Sequence, residues 1–481
     1  MTIENFGRNI RFTPSACCEP ANETELLESL NRSRPNAVRV VGSRHSWSPL
    51  IETDGTSIQL SGLDRVEVHH GPGGTASAVI GAGAQIKHIV EELNRHGLTL
   101  PSLGLITEQT IAGAIATGTH GSGRHSLSHY VEAVRLVHYD RRASQWVVDV
   151  IDSGAPLRAA RCSLGTLGIV TSVTIPCRPQ YYVDETWARY DAIDEVLARV
   201  DHFPLQQFYL IPHRWDWIAQ HRREAASATS RGRFAWLYRW YFHLTFDIAM
   251  PLGILLAARW LRSPFLTRWL LRVLPAFVLR GPVFRDRSDL QLTMKHELFR
   301  HLEMELFVPE ARVAEAADFL TQVLKVAAGT AETLADDWLA RLTPSEQATL
   351  SHLRRSFTHH YPICFRRILP DDTLLSMTSG SDACWQSISL ITYVEPREPF
   401  YAVAEFLACT LQRLCNARLH WGKHVPPGAG AQAPRYPAAD RFAAQRQHFD
   451  PDGHMQNAFT RRALWEDKLV TSSRLAPTSG D

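Results

Sequence analysis

Three stretches of this chain carry the residue types that chemistry needs. Residues 418–424, RLHWGKH, set two histidines, a tryptophan and a lysine within seven positions. Much earlier, Val38, Val40 and Val41 form a buried-strand signal that Gly42 and Ser43 end, leaving His45 on the loop that follows. A strand running into a Gly-Ser turn can deliver backbone amides to phosphates. The third stretch works through smallness. From Ala112 to Gly123, ten of twelve residues are Gly, Ala, Ser or Thr, the exceptions being Ile115 and His120. Such a run suits neither a helix nor a strand interior. It lets the backbone approach a ligand closely, with amides and Thr hydroxyls as hydrogen-bonding groups. An anionic ligand with a flat ring fits those properties, and a plain Gly-rich connecting loop has the same composition.

Composition bounds what can position these residues. At 481 residues the chain exceeds one ordinary core and predicts two domains. Its 45% hydrophobic and 21% charged residues are those of a globular protein. With 51 basic and 49 acidic side chains the net charge is +2, which provides no field for gathering nucleic acid. The eight cysteines show no zinc-type spacing, and MTIENFGRNI does not read as a secretory leader. Both features predict reduced thiols in a cytoplasmic chain without a metal site.

Along the chain, residues 22–32 predict a helix capped by Asn22 or Thr24. Residues 78–98 read as strand, turn and helix. Gly81-x-Gly83 fails as a nicotinamide fingerprint, because Ile86 stands at the third glycine position and no acidic residue is placed for a ribose. Strands are predicted at 130–139 and 145–151, and another after the Gly165/Gly168 turn. Composition shifts near residue 180. Beyond it, strands at 302–309, 362–369 and 383–393 with helices at 310–320 and 402–416 predict an α+β second domain. Between them, residues 231–284 hold eight arginines, one acidic residue (Asp247) and Trp236, Trp240, Trp260 and Trp269. The longest uncharged apolar run there, 248–258, has eleven residues including Pro251 and Gly253. That is too short for a bilayer span of about 20. Two readings stay open: a helix lying in the plane of a membrane, or an insert folded on its own domain with solvated arginines.

Five stretches together resemble the sugar-1,4-lactone oxidases. That group takes in gulonolactone, galactonolactone and arabinonolactone oxidases and alditol oxidases, among the vanillyl-alcohol-oxidase-type flavoproteins. They are Gly42 to Ser46 with His45, TIAGAIATGTHGSG at 110–123, SLGTLGIVTSVTIP at 163–176, HWGK at 420–423 and FDPDG…N at 449–457. Their order is kept over most of the chain. The resemblance implies an α+β, two-domain flavoprotein. Its PCMH-type FAD-binding domain would be residues 1–180 completed by the tail 425–481, and its α+β substrate cap 181–424 with the 231–284 insert.

Residue by residue, the resemblance implies that Val41, Gly42, Ser43, Arg44, His45 and Ser46 wrap the FAD pyrophosphate. Thr110, Ile115, Ala116, Thr117, Gly118, Gly121, Ser122, Gly123 and Ile169 would line the flavin and ADP portions. His45 matches the histidine attached covalently to the flavin. His420 and Lys423 match positions that reach the flavin ring and the substrate, the lysine as a cation against charge that builds on reduction. Arg366 matches the arginine of a Glu-x-Arg pair that orients the substrate oxygen, and Cys364 stands where the glutamate belongs. A neutral thiol cannot accept the same hydrogen bonds, so either another group replaces the carboxylate or the substrate differs. The implied activity is oxidation of a CH–OH group of a sugar-1,4-lactone or related polyol by hydride transfer to flavin N5, with O2 as acceptor. An electron carrier in place of O2 is one alternative. A flavin-binding protein without this catalysis, docked peripherally on a membrane through the insert, is the other.

Overall fold

The computed structural model describes residues 1–226, 230–294 and 298–464, so the predicted tail beyond 464 lies outside the described residues. Near the N-terminus, Val38–Val41 runs parallel to Thr56–Gln59, which pairs on its other edge with Ala16–Cys18. The helix Glu23–Ser33 begins where the Asn22 side chain accepts the Glu25 amide, and it buries Leu26 and Leu30. An antiparallel sheet follows, in the order Gln145–Ile151, Ala133–Asp140, Ile169–Pro179, Ala76–Gly81 and Val66–His70. Leu26, Val38, Ile58, Val137, Trp146 and Ile169 share one core across these elements.

The tail returns to this unit. The Val38 amide donates to the His454 carbonyl, and the Asn457 amide group donates to the carbonyls of Pro49 and Glu52. Buried Arg39 ties the same layers, donating to the carbonyls of Leu50, Leu164 and Gly165. Burial lowers its pKa to about 10, so it stays charged at neutral pH.

An eight-stranded antiparallel sheet makes up the middle of the chain. Its order is Phe284–Arg287, Tyr182–Tyr190, Asp216–Glu224, Gln207–Ile211, Ile363–Ile368, Trp385–Thr392, Leu302–Pro309 and Arg418–Leu419. Strand alternation sorts its residues onto two faces. Leu302, Met304, Leu306, Phe208, Phe365 and Ile388 join a core with the helices Val313–Ala327 and Glu398–Leu414. The residues between them, Glu303, Glu305, Tyr209, Cys364, Arg366 and Ser389, turn to a cavity.

The insert corrects the sequence estimate. Ala235 to Trp260 form one continuous helix of 26 residues, long and apolar enough by length and composition to cross a bilayer. Counting uncharged residues missed this because Asp247 breaks the run, whereas in the fold it pairs with His243 one turn away. Pro251 does not break the helix either. It stands at the second position of an α-helical piece that follows a π-helical one, and the helix continues through it. A shorter helix, Pro264–Val273, runs after the corner at Arg262. All eight cysteines are free thiols.

Candidate active site

A cavity of about 530 Å³ joins the N-terminal sheets to the eight-stranded sheet, within the size range of small-molecule and cofactor sites. At one end it is walled by the loop after Val38–Val41, with Val41, Gly42, Ser43, Arg44, His45 and Ser46 all on its surface. Gly42 is required there. A Cβ at Gly42 would meet Thr110 Oγ1 at 2.3 Å. Arg44 takes a left-handed φ of 62°, which turns the loop. The Ser43 hydroxyl accepts the Gln85 side-chain amide at 3.1 Å. The backbone amides of Ser43, Arg44 and Ser46 donate to no other atom of the described residues, which leaves them for an anion. Phe6 stacks at a tilt against His45, ring centroids 5.1 Å apart.

Thr110, Ile115, Ala116 and Thr117 also reach the cavity, with Gly83, Gly113 and Gly168 beside them. Close backbone approach explains these small residues: a Cβ at Gly83 would stand 1.8 Å from the Leu60 carbonyl oxygen. The run after Thr110 is nevertheless no open nest of amides. It folds as the helix Ile111–Ala116, whose first two amides donate to the carbonyls of Ala84 and Ala82.

Five predicted cofactor residues are not on the cavity wall. Gly118, at φ 72°, turns the chain against Met377. Gly121 backs onto the Leu103 carbonyl, and the Ser122 hydroxyl donates to the Gln206 carbonyl. Gly123 donates its amide to Arg367 and leaves no room for a side chain against the Pro204 carbonyl. Ser122 and Gly123 join the N-terminal unit to the middle sheet, whereas Gly121 packs within the N-terminal unit. Ile169 points into the core between the N-terminal sheets, and strand alternation brings its neighbours Gly168 and Val170 to the cavity instead.

The other end of the cavity is polar, and sheet register builds it. Tyr209 pairs with Cys364, Cys364 with Ser389, and Ser389 with Glu305. Arg366, two positions from Cys364 on the same face, donates Nε to Gln207 Oε1 at 3.2 Å and places Nη1 3.7 Å from Glu305 Oε1. The chain enters 420–423 from the last strand of the sheet, with the His420 amide on the Glu305 carbonyl. Lys423 is not a lone cation. It forms an ion pair with Glu303 and lies 4.5 Å over the Trp47 ring.

Sequence reasoning missed Glu303, Glu305 and His120. Glu305 is 1% exposed, and the His120 Nε2 lies 3.4 Å from its Oε1. Ligand atoms of His120, Glu305 and His420 fall within 4.8 Å of one another, a cluster that linear spacing does not reveal. Arg366 faces the same carboxylate. Burial opposes the Glu305 charge, but His120, His420 and Lys423 hold its pKa well below the ordinary value. Burial pushes His420 down to about 3 despite Glu305 nearby, so its ring is neutral, with Nδ1 accepting the Gly422 amide at 2.9 Å. Burial raises the Cys364 thiol above its usual value, against the pull of Arg366. Where Cys364 leaves the Glu-x-Arg pair without its carboxylate, Glu305, two strands away, brings one within 3.7 Å of Arg366 Nη1. The signal was present in LEMELFVP: two carboxylates alternating with apolar residues on a strand that is otherwise core.

Comparison with known proteins agrees with this architecture. Residues 14–141 match the FAD binding domain family, and residues 173–463 match the D-arabinono-1,4-lactone oxidase family. A long-chain alcohol oxidase from an uncultured marine euryarchaeote is 45% identical over 97% of this chain and 98% of its own. An L-gulono-1,4-lactone dehydrogenase of Mycobacterium tuberculosis is 28% identical over 94% and 96%. An alditol oxidase of Streptomyces is 24% identical over 96% and 99%. Cholesterol oxidase from B. sterolicum shares the fold, with a TM-score of 0.71 at 15% identity over 96% of both chains. The Gly42 cradle and the free amides of the loop fit the pyrophosphate of FAD; Val41 to Ser46 would hold it, and Thr110 and Ile115 to Thr117 would lie along the flavin. The chain therefore belongs to the D-arabinono-1,4-lactone oxidase family, FAD-dependent oxidoreductases of the vanillyl-alcohol-oxidase type that act on CH–OH donors.

Proposed function

We propose that this enzyme oxidises a long-chain primary alcohol to its aldehyde, with O2 as the final acceptor. The observation that carries the reading is the division of the cavity. Beyond Glu305, Arg366 and Ser389, its wall is Trp187, Ile211, Phe242, Phe246, Met250 and Val278. Each alkyl methylene buried there gains about 0.8 kcal/mol. A sugar hydroxyl set against the same side chains would lose its hydrogen bonds, at about 1–3 kcal/mol each. The euryarchaeal relative, a long-chain alcohol oxidase, supports the same substrate class.

Oxidation takes a hydride from the carbinol carbon and a proton from its hydroxyl. When bound, FAD supplies the two-electron acceptor for the hydride and the link to O2. Arg366 holds the alcohol oxygen as its proton leaves, and the Glu305–His120 pair receives that proton. The His120 Nδ1–H donates to the Gly121 carbonyl at 3.0 Å, a tautomer assigned from that bond, which leaves Nε2 toward Glu305 to share it. His45, on the cavity wall beside the pyrophosphate loop, is the residue we propose to carry the flavin covalently.

A sugar-1,4-lactone or polyol is the second reading. It is favoured by the family and by the density of polar groups around Arg366, and it uses the same carbinol chemistry. Oxygen uptake, peroxide formation and dye reduction with 1-alkanols of four to sixteen carbons, aldonolactones and alditols decide between them. A kcat/KM that rises with alkanol length supports the proposal. Turnover confined to lactones or alditols overturns it in favour of the second reading, and no turnover with any donor overturns both.

A further inference from the structure

We propose that the helical insert seats this protein in the plane of an anionic lipid surface, and that the alkyl substrate reaches the cavity from that lipid. The second clause rests on the alcohol reading above; the docking does not.

The long helix has two faces. Ala235, Tyr238, Ile254 and Ala257 are buried against the protein, and the Tyr238 hydroxyl donates to Glu185. Phe242, Phe246 and Met250 form part of the cavity wall. On the outer side, Trp236, Trp240, Leu244, Leu252, Leu256 and Trp260 are each 44–67% exposed. All six stand at multiples of four residues from one another. In a regular α-helix that spacing drifts by about 40° per step and would wind off the surface within roughly five steps. Here α-helical pieces of eight and five residues alternate with π-helical pieces of seven and six. A π turn holds roughly 4.4 residues against 3.6, so equal shares average about four. The wide turns keep the apolar stripe on one face. Phe265 and Trp269, four apart on the next helix, are also exposed. Soluble proteins rarely leave so continuous an apolar surface open without a partner.

Charge identifies the partner. Arg231 and Arg233 precede the long helix, Arg262 sits at the corner and Arg280 follows the hairpin. All four are exposed and make no ion pair with the described residues. The insert's one acidic residue, Asp247, is 6% exposed and paired with His243. An apolar face rimmed by unpaired arginines complements anionic headgroups over an acyl boundary. A second copy fits poorly, because a two-fold contact would set the same arginine rims against each other. The helix is long enough to span, yet its inner stripe is packed along the protein, with Arg239 on Asp286. It therefore lies flat, and its body is the partition between lipid and cavity.

Flotation of the FAD-loaded protein tests this with vesicles of phosphatidylglycerol and phosphatidylcholine, against phosphatidylcholine alone. The wild type should float with the anionic vesicles and less at high salt, and brominated acyl chains should quench its tryptophan fluorescence. Replacing Arg231, Arg233, Arg262 and Arg280 by Gln should lower the partition constant by roughly 10²–10³-fold. Trp236→Ser, Trp240→Ser and Trp260→Ser combined should abolish quenching and flotation. Both variants should keep their oxidation of a short, water-soluble alcohol while losing the vesicle-dependent oxidation of a long one. Wild type that stays at the bottom at low salt, or variants that float equally well, overturns the docking. So does a dimer in light scattering that both variants dissolve and that does not float. Flotation without oxidation of any alcohol overturns the substrate reading alone, and alcohol oxidation without flotation overturns the docking alone.

Discussion

Lys423 and Glu303 form an ion pair on the cavity wall, with side chains 15% and 5% exposed. The pairing sets what a substitution at either residue does. Lys423→Met removes the cation that we propose faces the charge built up on reduction, and it also strands a buried carboxylate. Flavin reduction by saturating substrate should slow by about 10²–10³-fold. The protein should lose about 3 kcal/mol of stability by denaturant unfolding. Adding Glu303→Gln should restore most of the stability and little of the rate. Unchanged stopped-flow reduction in Lys423→Met would show that this lysine only holds the fold.

Glu305 stands in the sheet row of Cys364, and His120 and the Lys423 charge hold its pKa well below the ordinary carboxylate value against its burial. Glu305→Gln keeps the shape and removes the proton acceptor. Its reduction rate should fall by about 10²–10⁴-fold while FAD content stays at the wild-type level. Cys364→Ser should change the rate little, since the thiol it replaces is already neutral. The assignment fails if the glutamine variant reduces its flavin at the wild-type rate.

The chemistry-bearing motifs were readable because each is local. His45 on its loop, the small-residue helix, Cys364-x-Arg366 and HWGK arrive at one cavity. Glu305 was not readable as a partner of Arg366, since Ser389 of a third strand lies between their strands and only register aligns them. His120 was visible as an exception in its run, but its role depends on a glutamate 185 residues later. Gly121 to Gly123 illustrate a different difficulty. Small residues signal close backbone approach without saying to what: Gly121 backs onto the Leu103 carbonyl, and Ser122 and Gly123 meet the middle sheet and its approach, none of them on the cavity wall. The 26-residue helix was hidden because a count of apolar residues treats Asp247 as a stop, whereas in the fold His243 hydrogen-bonds it within the helix.

Acid should destabilise this protein through its buried histidines. Burial lowers His213, His301 and His360 to about 4 and His420 to about 3, from an ordinary 6.5. Between pH 6.5 and 4 the unfolded chain takes up protons that the folded one refuses. Their stabilisation is therefore complete above 6.5 and lost as pH falls, by on the order of 1–3 kcal/mol each at pH 4. Protonation would also break acceptor bonds, such as the Tyr393 amide on His360 Nε2 at 3.0 Å. The thermal midpoint should drop steeply across this window. A flat profile from pH 7 to 4 would mean the histidines are not buried in neutral form.

Covalent attachment predicts that acid precipitation leaves the yellow colour on the wild-type polypeptide. His45→Ala should release its FAD on the same treatment. It should still bind FAD before it, because the Gly42 cradle and the amides of Ser43, Arg44 and Ser46 are untouched. Flavin recovered wholly in the wild-type supernatant would refute the link.

The apolar arm makes substrate length measurable. Up to the depth of the arm, each added methylene of a 1-alkanol should raise kcat/KM by about fourfold, the equivalent of 0.8 kcal/mol. Val278 is 7% exposed and packs with Trp187, Ile211 and Ile218 at the far wall. Val278→Phe fills that end, at a packing cost of about 1–3 kcal/mol. Short alkanols, whose carbinol sits at Arg366 and whose tail stops before Val278, should keep their rate. Long ones should lose kcat/KM from the chain length at which their tails first meet the new ring. Rates that fall equally for all lengths would place the tail elsewhere, and rates that fall for none would place it outside the cavity.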